Sequence, residues 1–128
     1  MSVLLLDTHA FIWFSEGDAN LSVALREQIE SANQVCVSIA SFWEIAIKLS
    51  IGKLALQTDF ATIEAKLAPA GITLLPILFT DTVQVRQLPL HHRDPFDRML
   101  IAQAINRSIT VISRDVHFDA YPVQRSWI

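Results

Sequence analysis

Short apolar runs and amphipathic helical faces take turns along the whole chain. Val3–Leu6 is an apolar run that stops at Asp7, the pattern of a buried strand. Phe11–Phe14 is a dense apolar patch that predicts a short helix. Over Ser22–Ser31 the residues Leu21, Ala24, Leu25 and Ile29 share one face, with Arg26, Glu27 and Glu30 opposite, which predicts an amphipathic helix. Gln34–Ser38 reads as a second strand. Ser41–Ile51 reads as a helix stopped by Gly52. A helix over Asp59–Ala68 is broken by Pro69-Ala70-Gly71, and Ile72–Leu75 is a third strand. Asp81–Leu88 is a modest helix. Asp94–Arg107 is a strong one, with Pro95 suited to its first position and Phe96, Leu100, Ile101, Ala104 and Ile105 forming the apolar face. Ile109–Ser113 is a fourth strand, Asp115–Asp119 a turn or short helix, and Val123–Ile128 a fifth, edge strand.

Strands that alternate with helices predict an α/β protein, with a short, mostly parallel sheet covered on both faces. In such sheets the working crevice lies outside the carboxyl ends of the strands. The 128 residues contain no repeat and no linker, so a single domain over residues 1–128 is expected. An apolar fraction of 52% against 18% charged excludes a disordered chain. The net charge of −3 argues against a passive nucleic-acid coat, because phosphate affinity comes from Lys and Arg. The single Cys36 excludes an internal disulfide scaffold, and the first apolar run is too short for a signal peptide or membrane span. The expectation is a soluble, cytoplasmic protein.

The polar residues that matter fall at element ends. Asp7 follows the first strand, Glu44 lies one turn into the helix after the second, Asp97 lies in the first turn of the long helix, and Asp115 closely follows the fourth strand. A parallel sheet can project all four over one edge. Each also has a purely structural reading. Ser41-Phe42-Trp43-Glu44 matches a capping box, Asp94 and Asp97 suit a helix start, and Asp7 and Asp115 suit turns. Their joint occurrence is what carries weight. Two carboxylates about 6 Å apart repel by roughly 3 kcal/mol at an effective dielectric near 20. Four in one crevice must therefore take up protons or be neutralised by cations. Mg²⁺ or Mn²⁺ suits an all-oxygen donor set. Zinc does not, because Cys36 lies inside a strand and His9, His91, His92 and His117 lack ligand spacing.

These residues sit in longer stretches that resemble PIN-domain ribonucleases of the VapC toxin type. The matching runs are Leu4-Leu5-Leu6-Asp7-Thr8-His9, Ser38-Ile39-Ala40-Ser41-Phe42-Trp43-Glu44-Ile45, His92-Arg93-Asp94-Pro95-Phe96-Asp97 continuing to Ala104, and Ser113-Arg114-Asp115 with Phe118. The resemblance implies a PIN-like α/β/α sandwich and a Mg²⁺- or Mn²⁺-dependent endoribonuclease. Asp7 and Asp97 would be the principal metal ligands, Glu44 would hold a water or act as base, and Asp115 would complete the cluster. Asp94 is an extra acid beside Asp97. The resemblance further implies an RNA substrate, a cognate antitoxin and a homodimer.

Around these acids, Thr8 and Ser113 either orient a carboxylate or bond nearby backbone as turn hydroxyls, and Arg98 and Arg114 can contact a phosphate, although a solvated arginine is the plainer expectation for each. His9 can reach substrate, although a packed His9 is the plainer expectation. His91-His92-Arg93 reads as a solubilising loop. Phe11, Ile12, Trp13, Phe14, Phe42 and Trp43 are expected mostly in the core, with an exposed subset forming a groove for a partner helix. The alternative function is a catalytically silent PIN-fold module that binds through that groove. An aspartyl phosphatase lacks its second acid, since His9 stands there, and a phospho-receiver lacks a late lysine.

Overall fold

A computed structural model describes residues 2–128. Five strands form one parallel sheet: β1 (Val3–Leu6), β2 (Gln34–Ser38), β3 (Ile72–Leu75), β4 (Thr110–Ile112) and β5 (Arg125–Ser126), in the order β3-β2-β1-β4-β5. From the central β1 the chain steps outward to β2 and β3, then returns to the other side of β1 for β4 and β5. The winding therefore reverses between β1 and β4, where a crevice opens at the carboxyl ends of the strands.

Alternation along each strand divides the core between two faces. Leu4, Leu6, Val35, Val37 and Ile112 pack with Phe11 and Ile12 of α1 (Thr8–Glu16), Leu25 and Ile29 of α2 (Val23–Ser31) and Ile45 of α3 (Ile39–Ser50). Leu5, Cys36 and Val111 point the other way, toward Leu100, Ile101 and Ala104 of α6 (Pro95–Arg107), with Phe118 and Tyr121. The result is an α/β/α sandwich. No helix is long and apolar enough to cross a membrane among the described residues.

Capping explains where the element ends depart from the sequence pattern. Asp7 caps α1 by accepting from Ala10 N at 2.8 Å, so that helix runs well beyond Phe11–Phe14. Ser38, the last residue of β2, caps α3 through Ala40 N at 3.0 Å. The helix thus begins at Ile39, Ser41 is interior, and the expected Ser41–Glu44 capping box is absent. Gly52 at φ 71° supplies the left-handed residue that ends α3, with Lys53 N donating to Lys48 O at 2.9 Å. The predicted Asp59–Ala68 helix is instead a 3₁₀ turn at Phe60–Thr62, then α4 (Ile63–Leu67), then a 3₁₀ turn at Ala68–Ala70, where Pro69 lacks the N–H a longer helix needs. The segment 115–119 becomes a 3₁₀ turn at Val116–Ala120, and the edge strand shrinks from 123–128 to Arg125–Ser126.

Helix α5 (Phe79–Gln87) starts two residues before Asp81, whose carboxylate accepts from Leu78 N at 2.8 Å. Asp81 is fully buried and also holds α6. Arg107 donates to both of its oxygens, at 2.7 and 3.0 Å, and Asn106 donates at 3.0 Å. Burial pushes the Asp81 carboxyl upward, but the Arg107, Leu78 and Asn106 donors outweigh it and hold it below the usual range. Asp81→Ala leaves three donors without their acceptor. It should cost about 3 kcal/mol in urea unfolding, and a loss below about 1 kcal/mol would show that the α5–α6 contact does not depend on this pair.

Candidate active site

The carboxyl end of β1 delivers Asp7, whose backbone N donates to Ile112 O of β4 at 3.0 Å. The next residue, Thr8, lies 2.7 Å from Glu44 Oε1 and 3.0 Å from Ser41 Oγ. A hydroxyl has one proton, so Thr8 donates to the carboxylate and accepts from Ser41. Glu44 Oε2 accepts from Lys48 Nζ at 2.6 Å, one helical turn further along α3. Glu44 is thereby held by both oxygens at a buried position.

The start of α6 adds Asp94 and Asp97. Asp94 Oδ1 caps the helix, accepting from Phe96 N at 2.9 Å and Asp97 N at 3.0 Å. Asp115 Oδ1 caps the 3₁₀ turn after β4, accepting from His117 N at 2.9 Å, with His117 Nδ1 at 2.7 Å. All four acids predicted from the sequence, together with Asp94, Thr8, His9, Lys48 and His92, line one cleft of about 250 Å³. Ser113 is buried beneath it and accepts from Asp115 N at 3.0 Å.

His92 and Lys48 were not among the expected site residues. His92 was read as part of a solubilising loop, yet its Nε2 lies 2.9 Å from Asp97 Oδ2 and 3.5 Å from Asp115 Oδ2. His92, Asp97 and Asp115 offer ligand atoms that all fall within 4.8 Å of one another. The loop is pinned for this purpose. His91 N and His92 N donate to the Tyr121 hydroxyl at 3.0 and 2.9 Å, and that hydroxyl donates to Pro89 O at 2.8 Å. Arg98, expected at substrate, is spent on the same loop. Its guanidinium donates to the carbonyls of Val85, Leu88, Pro89 and His92 at 3.1 to 3.3 Å and does not line the cleft. The Glu44–Lys48 spacing of four on a helix was a visible hint for Lys48. Nothing local marked His92, because the bond joins a loop to a helix start.

Burial holds the carboxyls of Asp7 and Asp97 above the usual range. Burial pushes the Asp7 carboxyl up, against pulls from Ser113, Ala10 and His9. Burial raises Asp97 to about 7. Asp94 adds to the rise, the His92 hydrogen bond opposes it, and Asp7 contributes further. Asp115 is also pushed up by burial, but the His117 and His92 contacts bring it below the usual range. The donor set is rich in carboxylate oxygen and fits a hard divalent cation: Asp97 and Asp115 already converge with His92, and Asp7 and Glu44 line the same cleft. His92 holds the Asp97 and Asp115 carboxylates toward a common point.

In the unfolded chain Asp97 ionises near its ordinary 3.8, whereas the folded chain keeps the proton to about 7. The unfolded state thus sheds the proton first, and metal-free stability falls as pH rises from about 4 to 7. Asp97→Asn should raise the metal-free melting temperature by roughly 3–6 °C at pH 8 and little at pH 4. An equal change at both pH values in a thermal melt would remove Asp97 as the source.

The PIN domain family model matches residues 4–124. Ribonuclease VapC22 of Mycobacterium tuberculosis is 29% identical over 122 residues, covering 90% of this chain and 88% of that protein. Similar solved structures include VapBC2 from Rickettsia felis bound to a DNA fragment from their promoter, with TM-score 0.73, 11% identity and 97% of each chain covered. DNA-bound VapBC from Salmonella typhimurium has TM-score 0.72 at 17% identity, with 98% of each chain covered. A toxin–antitoxin complex from Klebsiella pneumoniae has TM-score 0.65 at 14% identity, covering 97% of this chain and 96% of the other. At such low identity the solved structures show a shared fold, and the family match spans nearly all of the sequence that builds the cleft: this chain belongs to the PIN domain family.

Proposed function

We propose that this protein is a metal-dependent endoribonuclease and the toxin of a toxin–antitoxin pair. The observation that carries this reading is the meeting of Asp7, Glu44, Asp97 and Asp115, from four separate segments, in one cleft at the β1/β4 reversal. Asp7 and Asp97 would be the principal ligands of Mg²⁺ or Mn²⁺, with Asp115 completing the set. Once bound, the ion would supply positive charge at the phosphodiester and acidify the attacking water. Thr8 and Lys48 keep Glu44 oriented so that it can hold that water or take its proton. Lys48 also places a cation at the cleft for a phosphate oxygen. The relative named as a ribonuclease supports the chemistry, and the neighbour solved as a toxin–antitoxin complex supports the biological role.

Two apolar surfaces suit the partners of this reading. A recess of about 300 Å³ between α1, α4 and the segment after α3 is lined by Phe11, Ile12, Phe14, Leu56 and Ile63 and suits the amphipathic segment of an antitoxin. Ile39, Trp43, Ile47 and Ile51 form an exposed stripe at four-residue spacing along α3 and suit a homodimer contact. Of the aromatic residues expected to form a partner groove, Phe11 is buried, Phe14 lines this recess, and Trp43 is 62% exposed on the stripe.

Purified protein with Mg²⁺ or Mn²⁺ should cut cellular RNA, with new 5′ ends mapping to discrete sites, and EDTA should stop it. Asp7→Asn and Asp97→Asn should each lower the rate by about 100-fold or more, the scale of several kcal/mol of lost transition-state stabilisation. Folded, RNA-binding protein that cuts nothing with either metal would favour the silent module. Trp43→Glu should convert a dimer to a monomer in sedimentation at micromolar concentration, and an unchanged dimer would place the contact elsewhere.

A further inference from the structure

The acidic cleft does not end at the acids. Asp7, His9 and Asp115 also line a second recess of about 290 Å³, completed by Trp13 and Arg114. The two hollows share these three residues and form one continuous groove. Trp13 is half-buried, with the Trp127 ring 5.9 Å away and the His9 ring 5.5 Å away. The Arg114 guanidinium lies over the Trp13 ring, 4.6 Å from its centroid.

Among the described residues, Arg86, Arg93 and Arg114 have no protein acceptor, and of these three Arg114 is the one that lines the recess of Asp7, His9, Trp13 and Asp115. Arg26, Arg98, Arg107 and Arg125 all donate to protein oxygens. Arg114 is exposed and, among the described residues, makes no hydrogen bond or ion pair. It sits between buried Ser113 and the cluster acid Asp115, at the carboxyl end of β4, so its position is set by the sheet. The contact with Trp13 places the guanidinium over the ring, and its N–H donors have no acceptor among the described residues. A flat cation with free donors, beside an exposed imidazole and next to carboxylates that would hold a cation, suits a ligand with an anionic backbone and a planar ring. An unpaired nucleotide has both. Lys48 lines the acidic cleft and Arg114 the adjoining recess, so each hollow carries a basic side chain among its acids.

We infer that Arg114, held over the Trp13 ring and flanked by His9, forms a subsite for one unpaired nucleotide of a single-stranded RNA, adjacent to the scissile phosphate. This rests on the nuclease reading for the position of that phosphate. The base stacks on the guanidinium and its phosphate meets the free donors. Arg114 and His9 are positioning residues: they fix which linkage enters the acidic cleft.

The test measures binding of fluorescent single-stranded oligoribonucleotides by anisotropy, using the full-length Asp97→Asn protein with Mg²⁺ so that the RNA stays intact. In parallel, cleavage is measured with the otherwise native chain. Each oligonucleotide carries one abasic nucleotide, scanned along its length. Affinity should drop about tenfold at one register, the scale of one lost base stack. Arg114→Gln should weaken binding of the intact RNA by a similar factor and erase the difference between intact and abasic RNA. Arg114→Lys, which keeps the charge but not the plane, should keep binding to abasic RNA and lose the base-dependent part. His9→Ala should raise KM more than it lowers kcat. Arg114→Gln with unchanged affinity, or with the same abasic penalty as the parent, would overturn the subsite. Cleavage that survives with no Arg114 effect leaves the nuclease and removes the subsite. Base-dependent binding through Arg114, without cleavage by the native chain, leaves the subsite and removes the nuclease.

Discussion

Like charges held together against their own repulsion are the constraint on which this structure turns. Asp7, Asp94 and Asp97 gather where burial already penalises a charge, and Asp97 responds by keeping its proton to about pH 7. Such an arrangement persists only if each carboxylate is tethered by something else. The tether is the backbone. Asp7, Asp94 and Asp115 each use Oδ1 to accept from the N–H groups of the turn they begin. Capping satisfies the helix start and aims the carboxylate in the same contact, leaving the second oxygen free for other partners, as Asp115 Oδ2 is near His92. The cap and ligand readings of these acids are therefore compatible, one oxygen for each.

The rest of the fold serves to bring those turns to one place. Parallel pairing of β1 with β4, registered Leu6 to Ile112, brings Asp7 level with Ser113, two residues before Asp115. Helix α6 crosses the same edge because its apolar face is buried on the sheet. Its start is further located by Arg98 and Tyr121, which gather the carbonyls and amides of the preceding loop. The Asp81–Arg107 pair then fixes α5 to the far end of α6. Polar residues away from the cleft thus hold the geometry that the acids need.

Tilted aromatic rings extend the groove in a different manner. Trp13 is packed from below by the first hydrophobic core and capped from above by Arg114, so it joins the interior to the mouth of the site. The acids, the imidazoles of His9 and His92, and the two cations Lys48 and Arg114 together make a surface in which charge changes sign over short distances. That pattern favours a ligand whose own charge is confined to its backbone.

Much of this was legible from residue order. Apolar runs of four or five residues, each followed by an amphipathic helix, were enough to anticipate the parallel sheet, because such runs must be buried on both faces. Placement of Asp7, Glu44, Asp97 and Asp115 at element ends was enough to anticipate a shared edge. Helix limits were less visible: Ser38 serves as both strand end and cap, and the segment read as one helix before Pro69 divides into a 3₁₀ turn and the short α4. The contacts of His92, Arg98 and Arg114 were decided by tertiary structure alone. Each depends on a side chain meeting a partner, and a long flexible side chain carries no local pattern that says whether it will bind a carbonyl, a carboxylate or an aromatic ring. Periodicity records which side of an element faces the core, whereas the partner across a cleft is chosen by how the elements pack.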